Sequence, residues 1–404
     1  MKELAVQKCI SCAAEYPSHE PIYSCRSCGS LLEIQLPWLG ETDGRSLASS
    51  WEHRSRTIWR FKELIPITGR VVSLMEGGTP IYPAEKAAKW AGVREIYIKF
   101  EGLNPTGSFK DRGMSVGVSK AVELGRKIVV CASTGNTSSS MSAYAAAAGL
   151  KAIVVVPKKG IAAGKLFQTV LHGAKTVQIA EGFDKALGSV LSKAVGSEVY
   201  ILNSVNPWRI EGQKTLAFEL WTDLKNTDYF VSVPVGNCGN ISAIWKGFKE
   251  LQTIDLIDRP PRLVAVQAEG ASPFVDMVKK GENVLRPVEN PTTIASAIRI
   301  GKPVNWMKAL KAVRESEGLA EKVSDQLILE AQRILASEVG IGVEPASAAS
   351  LAGVKKLVEK GLMDKSSTVV CVATGHALKD PNTEIISPYL SRRTLSLEEL
   401  LKSV

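Results

Sequence analysis

Short runs of β-branched and other apolar residues recur along the chain at 96–100, 128–131, 152–156, 177–179, 199–202, 230–235, 263–266 and 368–372. Most end in Gly, Ser, Thr or Asn and give way to Ala- or Leu-rich stretches of helical spacing. Ile241, Ile244, Trp245 and Phe248 stand at i, i+3, i+4 and i+7. A half-buried strand would alternate apolar with polar positions. Continuous apolar runs between helices predict parallel strands covered on both faces. The fold class is therefore α/β, wound from βαβ units. Residues 38–60 are mixed and polar with no sustained period, which predicts a connector. No fixed-period repeat or low-complexity segment interrupts the pattern.

Length and composition narrow the classes. The 404 residues suffice for two to three domains at about 150 residues each. With 45% apolar and 23% charged residues, the chain matches folded, water-soluble proteins and not disordered or fibrous ones. The most apolar stretch, 143–156, is broken by Lys151 and falls short of the ~18 residues that cross a bilayer. Charge returns at Lys8 before a secretory-length apolar segment can form, so the expected location is the cytosol. A net charge of +9 permits nucleic acid without requiring it, since a basic cleft for an anionic small molecule accounts for the excess equally well.

Four of the seven cysteines crowd the front of the chain. Cys9 and Cys12, then Cys25 and Cys28, form two C-x2-C knuckles, the spacing with which four thiolates surround one tetrahedral Zn2+. Two disulfides are the competing reading, which a reducing cytosol and the tight C-x2-C geometry disfavour. His19 lies between the knuckles and could replace one thiolate, although four cysteines already complete the shell. Zinc ribbons can bind nucleic acid, but residues 1–40 hold three basic against four acidic side chains, whereas a phosphate-binding surface needs clustered positive charge. The expected role is a small structural module folded by its metal. Cys131 and Cys371 sit inside apolar runs and read as small buried residues.

In open parallel sheets, ligands gather beyond the carboxyl ends of strands. Five loops there carry chemistry. In Asn104-Pro105-Thr106-Gly107-Ser108-Phe109-Lys110-Asp111-Arg112-Gly113, Ser108 is a candidate helix cap and Lys110 falls in the first turn. The helix dipole there favours a neutral amine, as Schiff-base chemistry needs; the alternative is an ordinary solvated lysine. Ala132-Ser133-Thr134-Gly135-Asn136-Thr137 offers hydroxyls, an amide and helix N–H groups, suited to a carboxylate or a phenolate oxygen, or is simply a capped helix. Gly236-Asn237-Cys238-Gly239-Asn240 can wrap a phosphate with backbone N–H groups and has neither the nucleoside triphosphate spacing nor G-x-G-x-x-G. Asn203-Ser204-Val205-Asn206-Pro207-Trp208-Arg209 joins a hydroxyl and an amide to a guanidinium suited to phosphate or carboxylate, or Arg209 is a surface charge. Lastly, Val372-Ala373-Thr374-Gly375-His376 presents the Thr374 hydroxyl, which can donate or accept, and His376 as a candidate general base.

Taken together and in this order, these motifs resemble the threonine synthase family. The resemblance runs from about residue 73 to 381. It includes Met75-Glu76-Gly77-Gly78-Thr79-Pro80 and Ala373-Thr374-Gly375-His376-Ala377-Leu378-Lys379-Asp380-Pro381, and the ribbon looks like that of one branch of the family. It implies two parallel-sheet α/β domains of the pyridoxal 5′-phosphate (PLP) fold type II, similar to the tryptophan synthase β-subunit, behind a zinc-ribbon-like module at 1–37. The large domain would comprise 38–103 and 204–404, and the small one 104–203. By the resemblance, Lys110 is the Schiff-base lysine, Asn136 bonds the PLP phenolate oxygen, and Gly236, Asn237, Cys238, Gly239 and Asn240 cradle its phosphate. Thr374 would partner the pyridine nitrogen. Asn203, Ser204 and Arg209 would hold the phosphate of O-phospho-L-homoserine, and Ser133 and Thr134 its carboxylate. A homodimer is implied as well. The rivals are a threonine or serine dehydratase or a cysteate synthase using O-phosphoserine and sulfite, which would keep the cofactor residues, and, at a distance, a ribbon-bearing nucleic-acid binder.

Overall fold

The computed structural model describes residues 5–157, 163–179 and 198–381. All eight apolar runs become strands. The larger sheet has the order β12-β11-β10-β13-β5-β4, formed by Leu319–Val323 (β12), Arg262–Ala268 (β11), Phe230–Pro234 (β10), Thr368–Ala373 (β13), Glu95–Phe100 (β5) and Ile81–Pro83 (β4). Its strands run parallel except for β4, which pairs antiparallel with β5. The smaller sheet, β8-β7-β6-β9, is parallel throughout; it comprises Lys175–Ile179 (β8), Lys151–Pro157 (β7), Ile128–Ala132 (β6) and Val199–Ile201 (β9).

Register decides where the loops go. Ala373 pairs with Phe100 at the carboxyl ends of β13 and β5, so the loops after both strands leave side by side. Backbone bonds then tie them: Phe109 N–H donates to Thr374 O at 3.0 Å, and His376 N–H to Gly107 O at 2.9 Å. In the smaller sheet Val130 pairs with Ile201, which sends the loops after β6 and β9 out together.

Residues 38–60 are more than a connector. Asp43 caps a helix at Gly44–Glu52, its carboxylate accepting from Arg45 and Ser46 N–H, and Trp51 from that helix is fully buried against Phe61 and Phe218. With Leu47, Ala48 and Trp51 its only apolar residues among Gly, Arg, Ser and Glu, this short helix has too weak a pattern to announce a core element, yet burying an indole contributes about 1.5–3 kcal/mol. The cores are largely apolar, and Cys131 and Cys371 lie inside them.

The front of the chain forms a three-stranded antiparallel module, β2-β1-β3, from Glu15–Pro17 (β2), Val6–Cys9 (β1) and Leu32–Gln35 (β3). Ala5, Ile34 and Leu36 enter the large sheet's core, whereas Tyr23 enters that of the small sheet. Lys308 donates to the Leu32 carbonyl at 2.7 Å, which docks β3 on the body. No helix among the described residues is long and apolar enough to cross a membrane.

Candidate active site

Lys110 opens the helix Lys110–Glu123, as the loop chemistry predicts, but Ser108 does not cap it. The N-cap is Phe109 without a side-chain bond, and the buried Ser108 hydroxyl has no partner. This helix crosses the helix Trp208–Gln213 with backbone touching backbone. A methyl group added at Gly212 would lie 1.9 Å from Arg112 O, and one at Gly113 would lie 2.8 Å from Arg209 O. Only glycine fits such an approach, and the approach brings Lys110 and Arg209 to one cleft of roughly 700 Å³ including its mouth.

The first turn is fixed from behind by buried charge. Arg112 donates through Nε and Nη2 to Glu101 at 2.6 and 2.7 Å, and through Nη1 and Nη2 to the two oxygens of Glu219 at 2.6 and 2.7 Å. Lys99 bonds Glu219 at 2.8 Å. Glu76 accepts from Ser73, Leu74 N–H, Trp59 and Tyr144, which explains why a glutamate precedes the two glycines Gly77 and Gly78.

Within the cleft, burial and then the positive field of Arg209 bring the Lys110 amine down to about 7. The helix dipole invoked from sequence is not the leading cause. Arg209 is 3% exposed, has no carboxylate partner among the described residues, and makes one long bond to Leu202 O at 3.4 Å. Burial lowers its affinity for a proton to about 10. A guanidinium left desolvated and unpaired is costly, and an arriving anion relieves the cost.

Beyond β10, Cys238 adopts φ +63° and starts the helix Gly239–Thr253. The loop Gly236–Asn240 thus lines the cleft at the positive end of that helix, where backbone N–H groups can receive an anion. Asn240 is buried with both side-chain polar atoms unpartnered. At Gly236 a methyl group would press on Ile298 Cα at 3.1 Å. Thr374 Oγ1 lies 3.0 Å from Ser347 Oγ and also lines the cleft, as does Asn136. An amine, a loop of backbone N–H groups without cationic side chains and a neutral hydroxyl line one cleft, a set of groups that fits the aldehyde, phosphate and ring nitrogen of PLP.

Three polar lining residues escaped the sequence reading. Glu344 is buried, pushed up to about 7 by burial, and accepts from Asn136 Nδ2 at 3.1 Å with each oxygen; a lone acid in an otherwise small and apolar stretch was its signal. Asn305 donates N–H to Asn237 O and Nδ2 to Ser204 O, both at 3.1 Å, so it ties the cradle to the loop before Arg209. Gln213 lines the same wall with Oε1 unpartnered.

Other candidates fall at the margins. The Asn203 amide is engaged at both ends by the Ala132 backbone, at 3.0 and 3.1 Å, and Asn206 and Ser204 line the cleft instead. Ser133 accepts from Gly135 N–H at 3.2 Å and, with Thr134, lies on the loop leading to Asn136. His376 stacks near Phe100 and accepts from Leu378 N–H, which occupies its Nδ1 away from the cleft.

Far from the cleft, the sulfurs of Cys9, Cys12, Cys25 and Cys28 all lie within 4.8 Å of one another, with Cys9–Cys28 and Cys12–Cys25 at 3.5 Å. Four thiolates about 2.3 Å from a tetrahedral zinc would stand about 3.8 Å apart. All four cysteines are free, and Ser11 N–H, Cys12 N–H and Tyr16 Oη approach their sulfurs as outer-shell donors do. The cluster suits a structural zinc ion.

Comparison with known proteins agrees with this geometry. A family described as "Pyridoxal-phosphate dependent enzyme" matches residues 72–375. The chain is 48% identical to the threonine synthase of Methanosarcina acetivorans over 381 residues, 94% of this chain and 93% of the relative. It is 49% identical to that of Methanocaldococcus jannaschii over 383 residues, 94% of each. Among solved structures, the L-serine ammonia-lyase of Rhizomucor miehei superposes with a TM-score of 0.64 at 26% identity, covering 77% of this chain and 96% of that one.

Proposed function

Because this chain belongs to the pyridoxal-phosphate dependent enzymes, and among them to the threonine synthases, we propose that its cleft converts O-phospho-L-homoserine and water into L-threonine and phosphate, with the residues below in the roles given. The observation that carries the assignment is the pairing of a proton-poor amine, Lys110, with a buried, unpaired guanidinium, Arg209, at one crossing of two helices.

PLP, when bound, supplies the electron sink that makes the carbons beside the substrate amine acidic. Lys110 would hold the cofactor and, once released by the incoming amino group, would take protons from Cα and Cβ and return them to Cγ, where the phosphate has left, and to Cα; an amine poised near neutrality does both. Backbone N–H groups of Gly236, Asn237, Cys238, Gly239 and Asn240 hold the cofactor phosphate. Asn136 directs one amide hydrogen to the phenolate oxygen while Glu344 accepts the other. Thr374 meets the ring nitrogen with a hydroxyl that does not force its protonation. Ser204 and Arg209, backed by Asn203, hold the substrate phosphate as it leaves Cγ, and Ser133 and Thr134 receive the carboxylate. Water then adds at Cβ.

The division at residues 37, 104 and 203, a homodimeric assembly and a cytosolic location belong to the same proposal. Purified protein given PLP and O-phospho-L-homoserine is expected to release threonine and inorganic phosphate in equal amounts. Phosphate with 2-oxobutyrate would mean that elimination outruns water addition, and consumption only of O-phosphoserine with sulfite would replace the reading by cysteate synthase.

A further inference from the structure

The ribbon touches both ends of the segment that carries Arg209. Upstream, Ile201 N–H at the end of β9 donates to Tyr23 Oη at 2.8 Å inside the protein, and the Tyr23 ring packs on Tyr200 with centroids 5.8 Å apart. β9 is an edge strand of its sheet, so an N–H pointing away from β6 has no strand to bond; the Tyr23 hydroxyl takes that place. Downstream, Lys246 donates both to the Ile34 carbonyl of β3 and to Glu211. Glu211 stands two residues beyond Arg209 on the same short helix and is held from its other side by Lys214 at 2.6 Å. Ser204 and Arg209 therefore lie between two ribbon contacts, one reaching the small sheet's core and the other the large sheet's.

We propose that Tyr23 is a positioning residue for the substrate phosphate: the ribbon, through Tyr23 at one end and the Ile34–Lys246–Glu211 chain at the other, sets where Ser204 and Arg209 meet the phosphate. This rests on the assignment of those two residues to the substrate phosphate made above. Replacing Tyr23 by phenylalanine keeps the ring in its core and removes the acceptor of the buried Ile201 N–H, which lowers stability as well as disturbing the loop, so the variant is assayed at a temperature at which it is fully folded.

The test uses the holoenzyme with Tyr23→Phe, Lys246→Met, Arg209→Ala and the Tyr23→Phe/Arg209→Ala pair. The readouts are KM and kcat for O-phospho-L-homoserine, inhibition by inorganic phosphate, and the absorbance of the bound cofactor. For Tyr23→Phe, KM and the phosphate inhibition constant are expected to rise together by roughly fivefold, the worth of one buried hydrogen bond. The kcat should stay within about twofold and the cofactor spectrum unchanged. Lys246→Met is expected to give the same signature from the other end. In the Arg209→Ala background the Tyr23→Phe rise should vanish, because two changes acting through one partner do not add. A Tyr23→Phe enzyme with an unchanged KM, or one whose effect adds fully to that of Arg209→Ala, overturns the inference while leaving the phosphate assignment intact. If Arg209→Ala alone alters neither KM nor phosphate inhibition, the phosphate assignment itself fails and the inference falls with it.

Discussion

Two buried arginines less than 10% exposed flank the same helix crossing and behave in opposite ways. Arg112 spends its guanidinium on Glu101, Glu219, Thr79 and Thr215, and its carboxylate neighbours hold its proton more firmly than usual. Arg209 has one long bond to a carbonyl and an Nε with none, and burial loosens its proton. A saturated buried charge is framework, because every partner is already in the chain. An unsaturated one marks the place where a partner must come from outside.

The largest effect expected from this contrast is on stability. Arg112→Met strands Glu101 without a cation and leaves Glu219 with Lys99 alone, and is expected to cost about 3–5 kcal/mol, read as loss of the folded form at lower denaturant or temperature. Arg209→Met, which strands no carboxylate, should melt at or above the parent; equal losses in the two variants would break the comparison. Next comes substrate binding. Arg209→Ala is expected to raise KM for the phosphorylated substrate roughly 30-fold or more, the penalty for removing one partner of a buried charge pair, while Arg112 variants that still fold should leave KM near the parent value. Gly212→Ala inserts a methyl 1.9 Å from Arg112 O, and forcing the two helices apart should cost about 1–3 kcal/mol and disturb both arginines at once. Asn305→Ala removes the bond to Ser204 O and is expected to raise substrate KM roughly fivefold without changing the melting temperature appreciably.

The smallest effect is a shift in pH dependence. Lys110 is lowered to about 7, so its amine is free above that pH and protonated below it. The rate at which cofactor-free protein captures PLP should therefore rise as pH climbs through about 7 and level off above. Arg209 contributes to the lowering second to burial; in Arg209→Met the midpoint should move upward, by less than it would if burial were lost. An unmoved midpoint would show that the two cations do not sense each other.

Much of this was legible in the chain before any coordinates. Continuous apolar runs reveal parallel strands because both faces are covered, and Gly-Asn-Cys-Gly-Asn after such a run places an anion cradle at a helix start. Leu319–Val323 was missed since, at the sheet edge, it mixes Glu321 and Lys322 into its pattern. From sequence, Arg209 stood apart only by its loop and by resemblance and Arg112 had no role, because the physical difference between them is the presence of Glu101 and Glu219 around one and their absence around the other. Asn203 read as a ligand residue from its loop, whereas its amide is bound to the Ala132 backbone. Pairings across 71 or 107 positions leave no periodic trace.

The buried charges around Arg112, Glu219 and Lys99 have a consequence for heat. Hydration of ions becomes less favourable on warming, so the penalty for keeping these groups dry shrinks, whereas the gain per unit of apolar area levels off. With rising temperature, the scaffold behind Lys110 gains on the oily cores that flank it, and the lysine's setting should be among the parts of the molecule least softened by heating.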